Sequence, residues 1–578
     1  MNIRITYLVT VGLLGALSVG CSEDSDSTSS AGDSISTTDS GSVNGFDDNE
    51  SGYGGSGSST GGTGGYAYDM GSSSGGSGSG AELYASPPEY ASADSGTADP
   101  IIVEVPEEPR TNPFTLVSSD PLSTFAADVD TASYDIFVRD IGNGYLPQAV
   151  SVRLEEFVNF FHYDYEAPAA DAEQPFAVHL DAAPSLLDKD TINLRVGIQA
   201  EQPPPSEMLP ANIVFLVDTS GSMSGDLRLP LVQLVMTESL EVLAPTDTVS
   251  IVTYAGRTTV ALTPTPVSDS DTILSAINSF SAGGSTAGGS GINLAYDQAS
   301  AGFIDGGINQ VILMTDGDFN VGVSSDTDLT TLIEEKRQSG VMLSVLGFGS
   351  YNNDSMMESI SNAGNGTYAV IGSEGSARSY VEDRLLSNLH FVAQDMKIQV
   401  EFNPAHVLAY RLLGYENRAI ADNLFRDDTV DAGEIGAGHQ VTALYELVLP
   451  GGTIPVVTDG PEFVTGEGYA GDVEVGADDM VSVKVRYKDV GATEAEPAYE
   501  VASSLAPAAI GVTLDAADGD LQWAVAVAAF AELLKESPYA AGINLDRIEG
   551  IIASHAGTDS DRTAFEGYFL TAKGLLGL

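Results

Sequence analysis

Ile213-Val214-Phe215-Leu216-Val217-Asp218-Thr219-Ser220-Gly221-Ser222 is the segment from which the architecture of this chain follows. Five apolar residues in a row are too few for a helix and lack the alternation of a half-exposed strand, so they read as a strand buried on both faces. The run stops at an acid followed by two serines at alternate positions. Extended backbone turns the oxygens of Asp218, Ser220 and Ser222 one way, and Gly221 permits the tight turn that follows.

Outward from that segment, apolar β-rich runs at 212–217, 248–254, 310–314 and 341–347 alternate with helical patterns at 227–243, 273–280, 291–303, 328–337 and 354–361. Such alternation predicts an α/β unit, a doubly wound, mostly parallel sheet covered by helices on both faces. Sites in such sheets lie at the carboxyl ends of the strands. The run at 311–314 ends in Thr315-Asp316-Gly317, placing a second carboxylate on that edge, and the loop Gly283-Gly284-Ser285-Thr286 adds a hydroxyl. Carboxylates and hydroxyls without imidazole or thiolate select a hard cation, Mg²⁺ first and Mn²⁺ second. Two carboxylates at most balance a divalent charge and neutral hydroxyls add none. The ion therefore stays electrophilic toward an anionic oxygen from outside.

This constellation resembles the metal-ion-dependent adhesion site of von Willebrand factor type A (VWA) domains, whose pattern is Asp-x-Ser-x-Ser, a distant Thr and a distant Asp. The resemblance implies a Rossmann-like fold, with Asp218, Ser220 and Ser222 in the first loop, Thr286 in the second and Asp316 in the third. It also implies a sixth ligand donated by an Asp or Glu of a partner protein. Leu122-Ser123-Thr124-Phe125, Asp128-Val129-Asp130-Thr131-Ala132-Ser133-Tyr134, Asp316-Gly317-Asp318-Phe319-Asn320-Val321-Gly322, Leu413-Gly414-Tyr415-Glu416-Asn417-Arg418 and Gly436-Ala437-Gly438-His439 are similar to a bacterial group of secreted VWA proteins with flanking regions on both sides. That likeness extends over about 107–578.

The flanks have their own patterns. Strand-like alternation at 176–180 and 191–199 has no partner nearby in sequence, while 397–402, 406–413, 440–449 and 480–487 show it again. A two-stranded hairpin alone is marginal in water, so all six are expected in one β-sandwich interrupted by the VWA unit. Residues 113–170 read as a helical region, with Asp130 capping a helix that ends at Gly142-Asn143-Gly144 and a second helix at 152–161. Residues 171–204 read as the first sandwich strands, 205–392 as the VWA domain, 393–515 as the rest of the sandwich and 516–578 as a second helical region. Within the last, 521–534 is apolar around its whole circumference, which predicts burial.

Lys and Arg number 23 against 82 Asp and Glu, a formal charge of -59, which repels nucleic acid and anionic head groups at long range. The single cysteine, Cys21, excludes an intrachain disulfide and a multi-cysteine metal site. Arg4, an apolar stretch over 7–19 and Gly20 before Cys21 form a secretory signal over 1–20. Leu17-Ser18-Val19-Gly20-Cys21 resembles the lipobox of bacterial lipoproteins, although Ser18 stands where that family has an aliphatic residue. The resemblance implies a lipid anchor on Cys21 and, with Ser22 following, sorting to the outer membrane. Residues 21–112, rich in Ser and Gly, read as a disordered tether whose flexible part spans about 50 Å on average.

Other clusters carry less. Asp128 and Asp130 read as turn and capping residues, and Asp427, Asp428, Asp431 and Glu434 as a solvated turn without EF-hand spacing. The six histidines are scattered and form no HExxH pair. Neither a Gly-x-Ser-x-Gly elbow nor a phosphate loop occurs, so no catalytic residue is assigned and the chain is expected not to be an enzyme. The leading expectation is an envelope lipoprotein that uses Mg²⁺ to grip an acidic residue of a partner, in adhesion or assembly. A scaffold or sensor stiffened by its metal is the alternative, and a metal-dependent hydrolase of an envelope polymer is a third class.

Overall fold

The structure is a computed structural model; it describes residues 111–577 except 170–171, 205–207, 285–288, 318–325, 350–352, 431, 458–459, 461–462, 466–470, 472 and 493–495. Cys21, the 1–20 signal and nearly all of the 21–112 tether lie outside the described residues, as do Thr286 and Asp431.

Strand Ala211–Asp218 is buried along its whole length, as its unbroken apolar run requires. It lies at the centre of a six-stranded sheet, in the order Tyr368–Ile371, Met342–Phe348, Ile308–Thr315, Ala211–Asp218, Thr248–Tyr254, Thr258–Pro266. The first four pairings are parallel, and the last strand runs antiparallel along the edge. One face packs on helices Leu229–Val242 and Ser270–Ile277, whose Val232, Met236 and Ile273 meet Phe215 and Ile251 of the sheet. Helices Gly289–Ala301, Asp326–Arg337 and Asp354–Ala363 cover the other. Wound on both sides in this way, the sheet brings the ends of Ala211–Asp218 and Ile308–Thr315 side by side.

The sandwich is built across the insertion. Ile192–Ala200 pairs with Phe176–Pro184 on one side and with Gln440–Val448 on the other, about 240 residues later. Across a shared core of Leu194, Val196, Ile198, Tyr445 and Val483, the second sheet contains Gly433–Gly436, Phe391–Phe402, Val481–Lys488 and Tyr499–Leu505. The region 113–170 is not only helical: Thr115–Leu116 and Leu122–Ala126 precede its helices and add strands to the two sandwich sheets. Asn112 is tied down as well, its side-chain amide donating to the carbonyls of Leu412 (3.1 Å) and Gly414 (2.8 Å).

Helix Gly519–Leu534 is buried all round, with Trp523 and Phe530 fully covered. Phe137, Phe157 and Phe161 from the first helical region pack against it, together with Phe565 and Phe569 of the last helix, Ser560–Leu576. The two helical regions, far apart in sequence, share one aromatic core. Asp559 caps the last helix, accepting from the Arg562 amide at 2.8 Å. Arg411 on the outer face of the sandwich, 1% exposed, joins Glu446 (2.9 Å) and Glu532 (3.1 Å), which docks the buried helix. Among the described residues no helix is long and apolar enough to cross a membrane.

Asp130 is not the cap expected for the first helix. That helix, Ala132–Gly142, starts after Thr131 without a side-chain cap. The Asp130 carboxylate instead accepts from the Tyr368 amide (2.9 Å) and from Arg418 (2.9 Å), while Asp128 takes both arms of the same guanidinium at 3.0 Å. Asp128 also fills its expected turn role, accepting from the Asp130 amide. Asn417 donates to Glu358 at 2.7 Å, Arg153 pairs with both Glu156 and Glu358, and Glu156 accepts from the Ser133 amide at 2.6 Å. Buried charges from the N-terminal flank, the last part of the VWA unit and the sandwich thus interlock. The acidic loop expected as a solvated turn is only partly that: Asp428 is half-buried and grips Arg486 at 2.7 and 2.9 Å, and Glu434 lies in strand Gly433–Gly436.

Removing Arg418 strands two buried carboxylates, a loss of about 3–5 kcal/mol by the usual penalty for breaking a buried pair. Arg418→Met is therefore expected to lower the urea midpoint sharply, and an unchanged midpoint contradicts the clamp. Burial holds the carboxyls of Glu155, Glu156 and Glu358 up at about 7. Groups whose folded pKa is raised contribute stability that is full below their unfolded pKa and is lost as pH rises through the folded value. Urea unfolding is expected to show greater stability at pH 5.5 than at pH 8, the opposite slope counting against this assignment.

Candidate metal centre

Asp218 is the last residue of its strand and is wholly buried; Ser220 is 1% and Asp316 4% exposed. Ser222 is half-buried and Gly221 exposed, so the site opens to solvent on the serine side. The backbone turns at once: the Ser220 amide donates to Asp218 Oδ1 at 2.7 Å, an Asx turn that orients the carboxylate. The hydroxyls of Ser220 and Ser222 are 2.8 Å apart, and Ser222 Oγ donates to Asp316 Oδ1 at 3.3 Å. From the neighbouring strand, Thr315 Oγ1 donates to Asp218 Oδ2 at 3.3 Å and accepts from the Gly317 amide at 3.3 Å. Four of the five residues expected to hold the metal, Asp218, Ser220, Ser222 and Asp316, are brought into one hydrogen-bonded group.

The fifth, Thr286, lies outside the described residues, but its loop leaves from beside the site. The Gly221 amide donates to the Gly284 carbonyl at 3.0 Å, and the Gly283 amide donates to that of Thr219 at 2.9 Å. Gly284 has φ +93, a conformation that favours glycine, and a side chain there would press on the Gly256 backbone. Its carbonyl also lies 3.3 Å from where a Gly221 Cβ would stand, so the two loops meet backbone to backbone.

Burial pushes the Asp218 carboxyl up to about 6, opposed by the Ser220 hydrogen bond and reinforced by the nearby Asp316. Tyr254 is buried against Asp218 and Thr315, and its phenol is pushed well above the ordinary range by burial and by Asp218. Two close carboxylates, one of them fully desolvated, are a costly arrangement that a bound cation relieves. The donors gathered here are carboxylate and hydroxyl oxygens, and among the described residues no group of three or more His, Cys, Asp and Glu could hold a metal. That set fits Mg²⁺ or Mn²⁺ in chemistry, with Asp218, Ser220, Ser222 and Asp316 as the residues that would hold it.

Two contributors escaped sequence reasoning. Thr315 braces Asp218, and only its place before Asp316 marks it. Arg228, six positions after Ser222, donates to the Ser222 carbonyl and reaches within 3.6 Å of Asp316 Oδ2. It carries no local signal beyond being a cation in an acidic chain.

The raised Asp218 pKa has a checkable cost. Without divalent ions at pH 8, Asp218→Asn is expected to stabilise the fold by about 1–3 kcal/mol, since each pK unit is worth about 1.4 kcal/mol. The same variant should lose any rise in melting temperature with Mg²⁺. A variant less stable than wild type in EDTA contradicts the picture of a strained, cation-seeking carboxylate.

Residues 212–382 match the von Willebrand factor type A domain family, and 104–195 match a family described as von Willebrand factor. Residues 387–573 match the family described as Uncharacterized protein YfbK, C-terminal. Uncharacterized protein YfbK of Escherichia coli (strain K12) is 39% identical over 438 residues, covering 74% of this chain and 73% of that protein. Inter-alpha-trypsin inhibitor heavy chain H4 of Homo sapiens is 29% identical over 150 residues, 24% of this chain and 16% of that protein. Among solved structures, the von Willebrand factor type A protein from Catenulispora acidiphila is 14% identical, with TM-score 0.39, covering 68% of this chain and 89% of that one. Matched along most of its length, from before the parallel sheet to the last helix, the chain belongs to the YfbK family of von Willebrand factor type A domain proteins.

Proposed function

We propose that this protein is a metal-ion-dependent protein-binding module of the bacterial envelope, anchored through lipid on Cys21, that grips an acidic residue of a partner through Mg²⁺ in its VWA domain. The carrying observation is the convergence of Asp218, Ser220, Ser222 and Asp316 at the carboxyl edge of the sheet, open to solvent beside Ser222. The VWA match supports the same site type, and the lipobox-like segment before Cys21 supports the anchor.

The chemistry assigned is binding, not turnover. When bound, the metal supplies an electrophilic position for a carboxylate oxygen. This chain's residues do the rest: Asp218 and Asp316 supply the negative charge, the two serine hydroxyls fill neutral positions, and Thr315 with the Ser220 amide fixes the Asp218 carboxylate. The two carboxylates balance the charge of the ion and the neutral hydroxyls add no further negative charge, so the ligand set itself does not repel an anionic partner group.

Partner capture from envelope extract in Mg²⁺ tests the proposal. Recovery should fall at least tenfold with EDTA and equally with Asp218→Ala, while labelled palmitate should be lost with Cys21→Ala. A partner retained undiminished through both EDTA and Asp218→Ala sinks the metal grip.

A further inference from the structure

The site holds one strong charge that metal binding does not require. Arg228 stands at the start of helix Leu229–Val242, and its side chain turns back over the Asp218–Ser222 loop. One guanidinium nitrogen donates to the Ser222 carbonyl, and the same nitrogen lies 3.6 Å from Asp316 Oδ2. Asp316 is thereby divided: Oδ1 faces the Ser222 hydroxyl at 3.3 Å and Oδ2 faces the arginine. The Arg228 side chain is 30% exposed against 2% for that of Asp316, so the guanidinium lies at the solvent mouth and the carboxylate beneath it.

The arginine is also seated. Gly349, just beyond strand Met342–Phe348, has φ +95, and a Cβ there would come within 2.7 Å of Arg228 Nε and 3.2 Å of its Cγ. A side chain at that position would press on the arginine stem and push it from this seat. Three neighbouring strand ends therefore cooperate, those of Ala211–Asp218 and Ile308–Thr315 providing the acids and that of Met342–Phe348 the shelf.

We propose that Arg228 is the resident counter-cation of this site: it balances Asp316 when no metal is bound, competes with a divalent cation for that carboxylate, and makes the loaded site selective for anionic groups. This role presupposes the metal site proposed above. Charge bookkeeping carries the selectivity. Two ionised carboxylates cancel a divalent cation, so without Arg228 the loaded site is neutral, and with it the site has one net positive charge at its mouth. On a chain of formal charge -59 that local reversal of sign is what lets an acidic group approach. The forked guanidinium, held by the Ser222 carbonyl, presents further donors to a second carboxylate oxygen.

Opposite effects of one substitution separate this role from a structural one. Calorimetric titration with Mg²⁺ alone should show Arg228→Met binding roughly fivefold more tightly than wild type, the scale of a partly exposed ion pair removed from competition. Arg228→Lys, which keeps the charge, should stay near wild type. With Mg²⁺ saturating, an acetylated Gly-Asp-Gly amide should bind about tenfold more weakly to Arg228→Met, with Arg228→Lys intermediate because an ammonium lacks the fork. Equal Mg²⁺ affinity in wild type and Arg228→Met, or equal peptide affinity in the two loaded proteins, overturns the role of Arg228 while leaving the metal site standing. Absence of Mg²⁺ binding in wild type, matching Asp218→Ala, overturns both. Melting of Arg228→Met in EDTA near the wild-type temperature establishes that the comparison is between folded proteins.

Discussion

Two buried carboxylates brought together at one edge of a sheet define the problem this part of the molecule solves. Asp218 sits at the end of a strand buried on both faces, and Asp316 sits one residue beyond the neighbouring strand, so the parallel pairing of those strands brings the acids close. The sheet has no freedom to separate them, because Ala211 to Val217 pairs in register with Ile308 to Met314. Desolvation and like charge then raise the Asp218 carboxyl toward neutrality. Hydroxyls from Ser220, Ser222 and Thr315, an amide and Arg228 each take up part of that strain without removing it.

The flanks deal with buried charge by a different route, pairing it internally. Arg418, Arg153 and Arg411 each serve two carboxylates, and every such group joins segments distant in sequence. Interrupting a sandwich with the VWA unit places both its ends against the same body, and the Asp128–Asp130–Arg418–Glu358 cluster fixes the late part of that unit against the flank. A well-packed apolar contact would hold the same surfaces together at lower desolvation cost, so the charges contribute alignment more than raw stability.

Much of this was legible in the sequence wherever the deciding signal was local. The runs at 212–217 and 248–254 are apolar and short, and they are strands; the inference that 176–180 and 191–199 pair with later strands followed from their lack of nearby partners. Tyr368–Ile371 is only four residues long, and Thr258–Pro266, with its threonines and two prolines, is a polar edge strand, so neither rises above its surroundings. Leu122–Ala126 is defined by pairing with Phe391–Phe402, and Asp130 by an arginine 288 positions away, relations that no window along the chain reveals. At the site, alternate spacing exposed Asp218, Ser220 and Ser222, and position after a strand exposed Asp316. Arg228 and Thr315 act through tertiary contacts alone.

Diffraction from crystals soaked in Mn²⁺, recorded at the manganese edge, locates any cation held by Asp218 and its neighbours. One anomalous peak is expected at the carboxyl edge of the parallel sheet, within coordination distance of oxygens of the Asp218, Ser220 and Ser222 group. No peak there, with Asp218 and Asp316 left as a metal-free pair under saturating Mn²⁺, would contradict the metal site.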